Sequence, residues 1–94
     1  MQISIKDEAK NDLDGIFIYT LEKWGLNQAK EYVRDIHAAL DTLKNGEAQV
    51  KSVPGAKHYK RIRVGLHHII FIETEEDYDI VRILHQSMDT LRHL

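Results

Sequence analysis

Around its only proline, Pro54, the chain changes the period of its apolar residues from about four to two, and that switch restricts the fold more than any other feature. Upstream, Ala9, Leu13, Ile16, Phe17, Leu21 and Trp24 recur at helical spacing, which predicts an amphipathic helix running to about Trp24, with Asp7 placed to cap its start. Gly15 inside it costs about 1 kcal/mol relative to alanine, and Ile18 and Tyr19 fall off the apolar stripe. Gly25 stops this helix and Asn27 starts a second near Gln28, which Ala29, Tyr32, Val33, Ile36, Leu40 and Leu43 carry to Gly46. So short a connection makes the pair antiparallel, an αα-hairpin.

Residues 47–58 keep no period and read as a loop around Pro54 and Gly55. KRIRV at 60–64 then sets Arg61 and Arg63 on one face and Ile62 and Val64 on the other, with the apolar pair facing the core. Gly65 and Leu66 form a tight turn into HHIIFIE at 67–73, and EEDYD at 75–79 leads into IVRILH at 80–85. Three such strands pair as an antiparallel meander whose middle member is buried on both faces. With QISI at 2–5 as an N-terminal strand, residues 1–94 are expected to form one α+β domain. In it the helical hairpin packs on the sheet, and a short C-terminal helix or tail follows, capped by Ser87. One sheet face and at least one edge should stay uncovered, and an uncovered edge invites strand addition by a peptide.

Composition narrows the chemistry. The chain has no cysteine, which removes disulfides, thiolate nucleophiles and cysteine-bound metal, and it fits a cytoplasmic protein. No apolar run approaches the roughly 18 residues of a membrane span, and the N-terminus has no apolar signal segment. The net charge of -2 hides an uneven distribution. Lys51, Lys57, Lys60, Arg61 and Arg63, with His58, His67 and His68, fall in a stretch free of carboxylates, whereas residues 1–50 are acidic on balance. Such a segment can attract phosphate or an acidic partner but is mild for a nucleic-acid binder.

Arg82 is expected on the same side of its strand as Ile80 and Leu84, where a guanidinium must be paired, snorkelled or part of a functional surface. Glu73, Asp77 or Asp79 across the sheet could pair with it. Arginine and histidine together could also serve a nucleolytic site without metal, one stabilising the phosphate and the other moving the proton, and Arg61, Arg63, Arg82 and His85 are the right types. His67 and His68 point to opposite faces and cannot share a metal, so neither metal nor any other cofactor is expected. None of the serines lies in a nucleophile elbow, and there is no phosphate-binding glycine loop.

Several stretches carry a family likeness: AKNDLDGIFIYTLEKWGLNQAKEYVRDIHAALDTL, the Pro-Gly loop, YKRIRVGLHHIIF and the closing IVRILHQSMD. Over nearly its whole length the chain resembles the ParE branch of the RelE/ParE toxin superfamily, the toxins of type II toxin-antitoxin pairs. The RILH ending before Met88 and Asp89, and the pattern of Tyr19, Trp24, Gly25, Gln28, Ala29 and Tyr32, carry most of the likeness. It implies a cytoplasmic toxin that arrests growth unless a ParD-like antitoxin wraps its C-terminal segment around it. The implied target is DNA gyrase in complex with DNA, without covalent chemistry by the toxin and so without catalytic residues. Lys57, Lys60, Arg61, Arg63, Arg82 and His85 are then candidates for target contact, and Ile18, Tyr19 and Tyr32 for antitoxin contact. The RelE branch instead cuts mRNA in the ribosomal A site with basic sheet residues and often a tyrosine or histidine near the C-terminus. For that alternative Arg61, Arg63, Arg82 and His85 are the candidates, although no tyrosine follows Tyr78.

Overall fold

A computed structural model describes all residues from Met1 to Leu94. The elements run β1 (Gln2–Ile5), α1 (Asp7–Trp24), α2 (Leu26–Lys44), β2 (Lys51–Val53), β3 (Ala56–Val64), β4 (His67–Glu73) and β5 (Asp77–His85), and a 3₁₀ turn at Thr90–His93 closes the chain. The sheet has the order β1-β5-β4-β3-β2. The expected meander is present as β3, β4 and β5, and β1 pairs parallel to β5 at one edge, so the sheet is mixed. Parallel pairing requires a crossover between the two strands, and the helical hairpin begins it.

Several expectations are corrected. The aperiodic stretch holds a fifth strand, β2, and the start of β3, joined across Pro54 and Gly55 with an irregular register between Ser52 and Val53. A three-residue edge strand is too short to show alternation, which is why no period marks it. Strand β5 likewise starts at Asp77, after a turn in which the Thr74 hydroxyl accepts from Asp77 N–H at 2.9 Å. Asp7 is not a cap. It lies in the first turn of α1 beside Glu8, where negative charge favours the helix dipole, and Lys6 occupies the cap position without a side-chain bond. Helix α2 starts at Leu26 rather than Gln28, so the hairpin connection is Gly25 alone, at a φ of 92°.

A β-bulge governs the site. Ile70 pairs with Arg82 but Phe71 pairs with Ile80, which leaves Val81 as the extra residue. As a result Ile80 and Ile83, three apart, both join the main core with Ile36, Leu40, Ile62 and Phe71, between sheet and helices. Val81 and Leu84 join a second cluster with Val53 and Ile70 on the other face. The expectation that Ile80, Arg82 and Leu84 share one side is therefore wrong, because it assumed unbroken alternation. The helix-free face is also less bare than expected. Ile70 and Leu84 are fully buried there, and Leu91 of the C-terminal turn sits where a Cβ on Gly55 would meet it at 3.0 Å.

Only 14 of 94 residues are buried, so the margin of stability is small and apolar side chains remain outside. The stripe on α1 shows this directly. Ala9 is buried and Leu13, Ile16 and Phe17 are half-buried, but Leu21 and Trp24 at the end of α1 are exposed.

Candidate functional site

The exposed end of α1 forms one wall of a groove of about 910 Å³. Asp12, Ile16, Tyr19 and Trp24 line it from α1, Gln28 and Tyr32 from α2, Leu66 from the β3–β4 turn, His67 from β4, His85 from β5 and Met88 from the chain end. Trp24 is 68% exposed, Tyr19 61% and Leu66 53%, so the groove offers aromatic and aliphatic surface to solvent. Of the three antitoxin candidates, Tyr19 and Tyr32 line it, while Ile18, also exposed, does not.

Tyr32 ties the floor together. Its hydroxyl donates to the Val64 carbonyl at 3.2 Å, accepts from Leu66 N–H at 3.2 Å and meets His67 Nδ1. Burial raises the phenol above its usual range and keeps it protonated, against the lowering effect of the Leu66 bond. The phenol can lie there because the turn residue is glycine: Gly65 has a φ of 54°, and a Cβ on it would come within 2.7 Å of the Tyr32 ring. Gly65→Ala is expected to cost about 2 kcal/mol from left-handed strain and displacement of Tyr32, read as a drop in melting temperature of about 8–16 °C. An unchanged melting temperature would show that the turn and Tyr32 are independent.

The His67 ring lies 5.4 Å from that of Tyr32 and 5.3 Å, edge-on, from that of His85. Tyr32 and His67 thus meet through the hydroxyl and Nδ1. In His85, Nδ1 accepts from Ser87 N–H at 3.1 Å and lies 2.7 Å from the Ser87 hydroxyl. Ser87 therefore orients His85 and does not cap the terminal turn, whose cap position belongs to Asp89 without a side-chain bond. Burial lowers the pKa of His67 and the neighbouring His85 lowers it further, with Asp12 pulling the other way; burial and the charges of Arg61, Arg63 and Lys51 lower that of His68. A depressed histidine leaves the unfolded chain as the better proton acceptor, so this stability is complete above about pH 6.5 and declines as the pH falls below it. The melting temperature should therefore fall between pH 7.5 and 5.5, and His67→Gln should remove part of the fall. A flat profile in the parent protein would contradict the burial argument.

Arg82 is not free. Its Nε and Nη2 donate to the two oxygens of Asp12 at 2.8 and 2.9 Å, and its Nη1 donates to the His93 carbonyl at 3.1 Å, with Glu8 more distant at 3.8 Å. Asp12 also accepts from Ile83 N–H at 2.9 Å. The ion pair expected with Glu73, Asp77 or Asp79 is thus replaced by one with helix α1, because the bulge redirects Arg82. Arg61 and Arg63 stay together on the face away from the helices, as alternation required: Arg61 lies between Lys51 and Ile70 in register, and Arg63 opposite His68. Arg63 donates only to neutral acceptors, the Gly65 carbonyl at 3.1 Å and Gln86 Oε1 at 2.7 Å. Lys57 is exposed beyond the register break of β3, so alternation does not carry their face to it, whereas Lys60 pairs with Phe71 on the helix side and lines a small cleft with Leu43 and Tyr78. Sequence reasoning missed Asp12, Trp24 and His67 as site residues. An aspartate on the apolar side of a helix was the one signal that could have flagged the first.

The profile of the family described as "ParE toxin of type II toxin-antitoxin system, parDE" matches residues 3–90. The chain belongs to the ParE toxin family. Toxin ParE1 of Caulobacter vibrioides is 32% identical to this ParE-family chain over 87 residues, covering 92% of it and 90% of the relative. Toxin ParE1 of Mycobacterium tuberculosis is 34% identical over 91 residues, with the same coverage. Among solved structures, the chromosomal ParDE system of P. aeruginosa superposes with a TM-score of 0.77 over 90% of this chain and 95% of that one, at 20% identity. The α+β architecture of this toxin is thus that of the RelE/ParE fold, and no helix in it is long and apolar enough to cross a membrane.

Proposed function

We propose that this toxin acts by binding: it blocks DNA gyrase in complex with DNA and is neutralised by a ParD-like antitoxin whose C-terminal segment seats in the apolar groove. Family membership supports the gyrase target, and the exposed Tyr19, Trp24 and Leu66 support the antitoxin groove. The observation that carries the non-enzymatic reading is a separation of charges. Phosphodiester cleavage without metal needs a proton-transfer pair and a free cation at one phosphate. His67 and His85 lie in the groove, but no lysine or arginine lines it, and Arg82 at its border is held by Asp12. The uncompensated Arg61 and Arg63 are on the opposite face of the sheet.

The adjacency of His67 and His85 is the feature that favours the rival, a ribosome-dependent endoribonuclease. One experiment tests both. Purified toxin is given to gyrase on relaxed plasmid and, in parallel, to a translation extract whose message ends are mapped. Loss of supercoiling or accumulation of cleaved plasmid, reversed by the antitoxin and with the message intact, is the expected result. Untouched gyrase at micromolar toxin together with codon-positioned cuts would establish the rival.

A further inference from the structure

Four cations stand on or beside one face of the sheet without a carboxylate among them. Arg61 and Arg63 alternate along β3, Lys57 lies four positions before Arg61 on the same strand beyond the register break, and Lys51 is the register partner of Arg61 on β2. The ion pairs of the protein are Lys6 with Asp79, Arg82 with Glu8 and Asp12, and Arg92 with Asp89, so none of these four is neutralised. His68, opposite Arg63, is held below the usual histidine range first by burial and then by the charges of Arg61, Arg63 and Lys51. Residues two apart on a strand are about 6.7 Å from each other, a step comparable to that between successive phosphates of one nucleic-acid strand. The face lacks what single-stranded binding requires. Its one aromatic residue on β3, Tyr59, is half-buried against the Val53, Ile70 and Leu84 cluster and presents no open ring on which bases could stack.

We infer that the helix-free face of the sheet, through Lys51, Lys57, Arg61 and Arg63, is a contact surface for the phosphate backbone of duplex DNA. The contact is independent of base sequence, since these side chains supply charge and no built pocket for a base edge. The inference deepens the gyrase reading by dividing the labour between the two sides of the sheet. The groove side meets the antitoxin, and the opposite side meets the DNA that gyrase holds.

The test uses the purified full-length toxin and a fluorescent 20-base-pair duplex of arbitrary sequence, with anisotropy read over a range of salt, and gyrase is left out. Each phosphate contact contributes a slope of about -0.9 in log affinity against log salt, so four cations predict a slope of about -3 to -4. R61A/R63A should lower that slope by about 2 and weaken binding at least tenfold at low salt, whereas R61K/R63K should largely keep both. Antitoxin capture by both variants should be unchanged, which also shows that they fold. Absence of duplex binding at low salt, a slope that R61A/R63A leaves unaltered, or a single strand held as tightly as the duplex would each overturn the inference. So would a double variant that keeps duplex binding but loses the antitoxin, because the face would then serve an acidic protein segment. Failure here with gyrase inhibition intact removes only the DNA contact, and duplex binding without gyrase inhibition removes only the choice of target.

Discussion

Asp12→Ala should be the most destabilising single substitution outside the apolar core, with a loss of about 3 kcal/mol, at the lower end of the range for breaking a buried ion pair. Asp12 and Arg82 have side chains only 16% and 20% exposed, and the carboxylate satisfies two guanidinium nitrogens and the Ile83 backbone N–H at once. Removing it leaves a half-buried cation and an unpaired amide on β5, and the His93 carbonyl then depends on an arginine with no anchor. A domain of this size has about 5–14 kcal/mol in total, so the melting temperature should drop by about 12–24 °C. Glu8→Ala is the control. Glu8 is 3.8 Å from Arg82 and its side chain is 75% exposed, so solvent screening leaves it worth no more than about 0.5 kcal/mol. Equal losses for the two substitutions would show that the bond network is not what holds α1 to β5 and the tail.

Trp24→Ala should do the reverse, leaving the fold intact while removing the partner. The side chain is mostly outside the core, so its truncation costs little stability, but it is the largest apolar surface on the groove rim. Buried tryptophans are common hot spots of protein interfaces, worth about 2–4 kcal/mol on truncation, which corresponds to about 30- to 700-fold weaker antitoxin binding. Calorimetry with the cognate antitoxin measures this, and Ile18→Ala is the comparison, because Ile18 is exposed but outside the groove. If Ile18→Ala weakens capture as much as Trp24→Ala, the antitoxin crosses the outer surface of α1 and the groove is not its seat.

The sequence made the period of each long element legible. Both helices, the β3–β4–β5 meander and the pairing of Arg61 with Arg63 on a helix-free face follow from spacing, because burial on one side of an element imposes its period directly. What escaped was whatever depends on a break in period or on distant partners. The bulge at Val81 shifts the side of every residue after it, so Arg82 could not be placed by alternation, and its partner Asp12 lies 70 residues away. Strand β2 is too short to show a pattern, and the parallel pairing of β1 with β5 is a matter of tertiary packing. Trp24 fits the helical stripe, and its place on the groove wall rather than in the core depends on tertiary packing that spacing does not show.

Whether the toxin works by contact rather than by histidine chemistry is measured most directly as gyrase supercoiling in the presence of the parent protein and, in parallel, of His85→Ala. Equal inhibition by the two is the predicted result, because an imidazole in the groove has no part in the target contact. An inactive His85→Ala that still binds its antitoxin, or a parent toxin that leaves gyrase unaffected at micromolar concentration, would contradict it.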